Sequence, residues 1–280
     1  MAAQDRALSN LIRVCAMAAA FFLAAPAVQA QWVNFRVPGV PRTADGKVNL
    51  TAPTPRTPDG KPDLGGTWHS DGGYFGNLGR DLKAGELQML PWAEAQVKEN
   101  QTNLHKNDPM VACMPPGVPR VGLGGSRGMP HPFKVVQTPA LVVLLYETST
   151  NQTFRQVFLD GRPHPEDMQP TWLGYSIGRW DGDTLVVDTT GFNGRSWIDT
   201  GSGHPQTDAG RVTERYTRRD VGHMDIDITI DDPKAYAKPW HAKVPVNLLP
   251  DSDLIETFCE NEKDIHLMDR APKAVDGRAR

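Results

Sequence analysis

R-V-T-E-R-Y-T-R at residues 211–218, followed shortly by M-D-I-D-I-T-I at residues 224–230, decides the fold class. In the second stretch Ile226, Ile228 and Ile230 alternate with Asp225, Asp227 and Thr229. Successive side chains of a strand point to opposite faces, so this pattern is a strand with one buried and one wet face. The first stretch alternates too. Val212, Glu214 and Tyr216 share one face, and Thr213, Arg215 and Thr217 the other. If Val212 marks the inward face, Glu214 lies inside, where a carboxylate needs a partner. Arg155 and Arg179 are the candidates.

Working outward, further strands are expected at residues 133–138, 141–147, 154–159, 173–180, 184–189, 240–248 and 254–259. Each carries β-branched or aromatic residues bounded by turn residues. Asp181-Gly182-Asp183 reads as a hairpin turn. About eight short strands with hairpin connections imply a mainly β chain, an antiparallel barrel or a sandwich. Sequential strands usually neighbour each other, so an up-and-down barrel is the simplest topology. A barrel of about eight strands has room for one small ligand.

Upstream, the strand pattern fades. Residues 82–103 hold the best helix candidate, with Leu82, Leu87, Leu90, Ala93 and Val97 at helical spacing. Pro91 would kink that helix or start a second one. Residues 31–63 repeat the theme Pro, Arg, Asp-Gly-Lys and predict an extended Pro-rich arm, which wraps the domain or stays mobile, with a homo-oligomer formed through the arm as the further partner expectation. Trp68 anchors the start of the folded part. The first thirty residues read as a cleaved secretory leader. Arg6 and Arg13 precede an apolar run over residues 14–27, and Val28-Gln29-Ala30 places the cut before Gln31. That run is too short to span a bilayer, and no later stretch is apolar enough, so no stable membrane span is expected. The expected organisation is a leader at 1–30, the arm at 31–63, one β-rich domain at 64–270 and a frayed tail at 271–280, in a periplasmic or secreted protein.

Lys and Arg number 30 against 33 Asp and Glu, a formal charge of −3, which argues against a nucleic-acid partner. The glycine-rich stretch near residue 124 lacks the strand–Gly–helix context of a phosphate loop. Of the 3 cysteines, Cys15 lies in the leader. Cys113 and Cys259 remain, either as a disulfide or as two buried thiols, since sequence alone does not bring Cα atoms together. Cys259 as a thiolate nucleophile is the weaker reading in an oxidising compartment.

F-R-Q-V-F-L-D-G-R-P-H-P (154–165), G-R-W-D-G-D-T-L-V-V-D-T-T-G-F-N (178–193), V-T-E-R-Y-T-R and the Cys-Glu-Asn-Glu ending resemble a widespread family of secreted bacterial proteins of largely unassigned activity. The resemblance covers most of residues 130–265 and implies export, not a reaction. The late hairpins are similar to those of lipocalins, an analogy that implies a lipocalin-like β-barrel. Such a fold hosts binders and enzymes alike.

Asp160, Arg162 and His164 in D-G-R-P-H-P, with Arg155 before them and Asp167 after, form the densest polar cluster. A histidine beside carboxylates can act as general acid or base. Glu214 is the second candidate base. His164, Asp160 and Glu214 are therefore the expected catalytic set, and Arg155, Arg162, His204, Trp180 and Tyr216 the expected substrate contacts. The competing readings are a turn stapled by an Asp–Arg pair and a structural buried ion pair. His131, His164, His204 and His223 lack metal-site spacing, and no metal or cofactor is expected. There is no G-x-S-x-G. The chain holds 7 tryptophans, several at expected strand ends, where rings can line a pocket. The leading expectation is a cofactor-independent acid–base enzyme, a lyase, decarboxylase or hydrolase acting on a small aromatic or apolar molecule. The alternative is a non-catalytic periplasmic binder of lipocalin type.

Overall fold

A computed structural model describes residues 35–70, 72–124, 131–148, 153–257 and 259. The expected leader, its cleavage site and the tail lie outside the described residues. Nine strands close into a barrel: β1 (Gly66–Ser70), β2 (Phe133–Gln137), β3 (Leu141–Tyr146), β4 (Thr153–Phe158), β5 (Tyr175–Asp181), β6 (Thr184–Thr190), β7 (Arg211–Arg218), β8 (His223–Asp231) and β9 (Trp240–Leu248). Each strand pairs with its neighbours in sequence, and β9 closes on β1 through Trp68↔Leu248, His69↔Asn247 and Ser70↔Val246. All neighbours are antiparallel except β4 and β5, which are parallel and held only by Val157↔Ser176 and Phe158↔Ile177. The simple up-and-down expectation misses that parallel pair.

Alternation decides what the barrel contains. Register aligns Tyr216 with Leu185 and Ile226, and Glu214 with Val187 and Ile228. Cross-strand partners share a face, so one layer after another of Ile, Val, Leu and aromatic rings fills the interior. Trp68, Phe133, Tyr146, Val157, Ile226, Val244 and Trp240 belong to this single core cluster.

Three expectations are corrected. Residues 254–259 form no strand among the described positions. They are tied down instead by Asp253 to Lys134, and by the Ile255 N–H donating to Glu147. β1, with a glycine at its first position, is a strand that the pattern did not reveal. The helix over 82–103 exists only in its second half, α2 (Pro91–Thr102), after a short α1 (Gly72–Gly76). Pro91 sits in its first turn, where its missing N–H costs nothing. Ala93, Val97 and Asn100 are the buried side of α2.

The arm packs on the barrel. It contains the same turn twice, P-R-T-A-D-G-K-V at 41–48 and P-R-T-P-D-G-K-P at 55–62. In each, the threonine N–H bonds the lysine carbonyl and the glycine N–H bonds the threonine carbonyl. Gly46 and Gly60 take φ of +83° and +81°, a left-handed conformation that favours glycine. Each arginine then grips a barrel aspartate. Arg42 holds Asp251, and Arg56 bonds Asp183 in the β5–β6 turn at 2.6 and 2.9 Å. Arg218, buried over the Trp68 ring, donates to the carbonyls of Asp63, Asp220 and Val221. Burial pulls its guanidinium down to about 10.

A disulfide joins Cys113 to Cys259, with Cα atoms 5.6 Å apart and a sequence separation of 146. In the chain-entropy model closing so long a loop contributes about 5 kcal/mol. Beside it, the buried pair Arg120–Asp108 fixes the loop after α2. Asp108 also caps the 3₁₀ turn Pro109–Ala112 through the Met110 N–H, and accepts from Thr200. No helix among the described residues is long and apolar enough to cross a membrane.

Candidate functional site: a cleft where the barrel wall parts

Because β4 meets β5 only through Val157 and Phe158, the last two residues of β4, Thr153 to Gln156 have a strand on one side only. The gap is a cleft of about 350 Å³. Phe154, Phe158, Trp172, Leu173, Tyr175 and Pro115 supply its apolar wall. Thr153, Gln156, Thr171, Arg155 and Ser176 supply its polar lining, the last two forming its buried polar end. Phe154 is 59% exposed, unusually open for a ring of that size. The Phe158 and Tyr175 rings stack with centroids 5.2 Å apart, and Arg162 lies 4.0 Å over Phe158. The disulfide-tied loop contributes Pro115, two residues beyond Cys113.

The polar end belongs to a buried network. Arg155 Nε donates to Ser176 Oγ at 2.8 Å and Nη2 donates to Thr189 Oγ1 at 2.6 Å. Nη2 also lies 2.5 Å from Glu214 Oε2. Tyr216 donates its hydroxyl to Glu214 Oε1 at 2.9 Å. Of the two partners that alternation offers to Glu214, Arg155 is the one it meets, across the interior from β7 to β4. Low polarity strengthens such a pair and makes either member costly if left alone. Burial and then the Glu214 charge push the Tyr216 hydroxyl well above its ordinary value. Burial pushes Tyr146 up to about 12, against the opposing charge of Arg155. Both phenols stay neutral.

The expected catalytic set is not assembled. Glu214 shares the inward face with Val187, so Asp188, the next residue, points outward. His164 is on that outer side. Its Nε2 lies 2.9 Å from Asp188 Oδ2, and its Nδ1 lies 3.2 Å from Thr190 Oγ1. Arg211 bonds the same Asp188 twice at 2.7 Å. Asp160 and Arg162 form an exposed two-toothed pair, with Arg162 also reaching Tyr175 at 3.3 Å. The barrel wall therefore separates His164 and Asp160 from Glu214.

The remaining expected contacts are elsewhere. His204 is buried in the loop after β6, its Nδ1 2.6 Å from Asp199, with Trp240 at 6.0 Å. Trp180 sits at the β5–β6 hairpin under the Lys61 ammonium, 5.8 Å from the ring centroid. Neither lines the cleft. His131 meets the Glu147 carbonyl and His223 meets Asp220, so the four histidines have four separate partners. Among the described residues no three of His, Cys, Asp and Glu gather where a metal ion could sit.

Sequence reasoning missed Ser176 and Thr189 as members of the network, whereas Trp172 is among the tryptophans it set at strand ends or loops as rings able to line a pocket. Parity could have found the first two. Ser176 and Thr189 fall on the inward face beside Val157 and Val212. A polar residue on that face needs a buried partner. The cleft itself has no sequence signal, because it exists where two strands fail to pair.

The chain is, in class, a closed β-barrel with a packed core and a side-opening cleft. Neither a protein-family model nor a curated protein matches it.

Proposed function

We propose that this chain is an exported binding protein of lipocalin type, which holds a small aromatic or largely apolar molecule in the cleft between β4 and β5. One observation carries the reading. The cleft is lined by aromatic and aliphatic side chains, and neither a carboxylate nor an imidazole is among its lining residues. A volume of about 350 Å³ suits a one- or two-ring molecule. An acid–base catalyst needs a titrating group within hydrogen-bond reach of its substrate. His164 and Asp160 stand on the outer wall and Glu214 is sealed against Arg155, so a lyase, decarboxylase or hydrolase built on that set has no common cavity. Export rests on the leader pattern, and the Cys113–Cys259 disulfide fits an oxidising compartment.

Titration with 1-naphthol, followed through tryptophan fluorescence, tests the proposal. Saturable binding is expected, weakened by about tenfold or more in a Phe154→Ala, Trp172→Ala double variant that loses two walls of the cleft. Binding that survives both substitutions unchanged places the ligand elsewhere, and no saturable binding at all removes the reading. The affinity is expected to stay flat between pH 5 and 8; an inflection near the pKa of histidine would favour a titrating site instead.

A further inference from the structure

Arginine at the end of an aromatic cleft is ordinarily read as the anchor for a ligand carboxylate. Here the charge is already spent. Arg155 is 4% exposed and its guanidinium lies 2.5 Å from the Glu214 carboxylate, so the pair is neutral overall. Its Nε and Nη2 protons are held by Ser176 and Thr189. Glu214 in turn is held in place by Tyr216 and cannot swing to solvent, being 4% exposed itself.

We infer that Glu214 is a specificity-determining residue that makes the cleft select neutral aromatic ligands and reject their carboxylates. The inference rests on the cleft being the binding site. An anion entering beside Arg155 would place two negative charges against one buried guanidinium. One of them would go uncompensated, and burying an unpaired charge is among the most unfavourable changes a protein interior can undergo. A neutral ring meets no such penalty. It gains from the Trp172, Phe154 and Leu173 surfaces and faces a polar end whose two charges already compensate each other. Both residues are needed for this. Glu214 touches the ligand only through Arg155, so it acts by setting the charge that the ligand meets.

The pair 1-naphthol and 1-naphthoate isolates that charge on one ring system. At pH 7 the wild-type protein is expected to bind the naphthol about tenfold or more tightly than the naphthoate. Glu214→Gln leaves the guanidinium uncompensated, and naphthoate is expected to become the tighter ligand. Arg155→Gln combined with Glu214→Gln removes both charges, and the preference for naphthol is expected to return. Circular dichroism and urea unfolding verify that each variant is folded. If Glu214→Gln does not fold, the wild-type comparison alone decides. Equal or tighter binding of naphthoate by the wild type overturns the inference and leaves the cleft standing as a site. Failure of both probes to bind overturns the cleft itself, a distinguishable result.

Discussion

Glu214 shows what a single position can and cannot announce. Its inward face follows from the alternation V-T-E-R-Y, and with it the need for a partner. The partner's identity depends on which strand lies across the interior, and β5 and β6 stand between Arg155 on β4 and β7 in the wall. His164 shows the opposite case. Its polar neighbours in sequence suggested a reactive cluster, yet the side chain turns to Asp188 on the outer wall. Local composition reveals charge density but not the side of a sheet on which a loop settles. A prediction follows for the interior pair. Glu214→Gln is expected to destabilise the fold by about 3–5 kcal/mol, because it strands a buried guanidinium. Arg155→Met with Glu214→Leu is expected to recover most of that loss, since two apolar residues of similar size need no compensation. Urea unfolding of the three proteins measures both; a double variant no better than the single one would mean that the network, not the charge, sets the stability.

At the scale of elements, the strands with clean alternation were legible nearly to the residue. β7 and β9 match their expected bounds, and β8 extends the expected strand by one residue at each end. Their period comes from one buried and one wet face, which is a strong constraint. β1 was not legible, because a five-residue strand carrying a glycine presents almost no pattern. Residues 82–90 carry helical spacing without helix. Leu90 bonds Ala235 through its N–H, so a tertiary contact takes the place of a helical one. The arm is an element of another kind, two copies of one turn with an arginine each. Its inner end depends on Arg218, which binds carbonyls from the arm and from the β7–β8 turn together. Arg218→Ala is expected to cost about 2–3 kcal/mol, given that bonds from a charged donor are worth more than neutral ones. Protease cutting within residues 51–62 is expected to quicken in that variant while the barrel core stays intact on a gel. Unchanged cutting rates would show that the Arg42 and Arg56 pairs hold the arm alone.

For the molecule as a whole, acid is the informative stress. Asp188 and Asp253 are partly buried, and burial raises both, but Arg211 with His164 and Lys134 outweigh it and hold each carboxyl below its ordinary value. Arginine or lysine partners likewise lower Asp160, Asp181, Asp183 and Asp208 at the surface, where such pairs contribute little. A carboxylate whose folded pKa is depressed stabilises the fold fully above its unfolded pKa, about 3.9, and the contribution is lost as pH falls through the lower folded value. Stability measured by thermal melting is therefore expected to hold down to about pH 4 and fall below it. A fall already between pH 7 and 5 would assign the acid response to histidines instead.

The parallel join between β4 and β5 has a cause in arithmetic. Around a ring in which every neighbour reverses direction, up and down must alternate, and only an even count can return to its start. Nine is odd, so one pair somewhere has to run the same way. The chain met that requirement at β4, and there it must leave the wall and double back before β5 begins. The detour, residues 159–174, carries D-G-R-P-H-P to the outside of the barrel and Trp172 to the seam. The location of the seam and the segregation of its polar residues are thus two results of one parity. A tenth strand inserted there would let the ring close without a mismatch and would seal the opening.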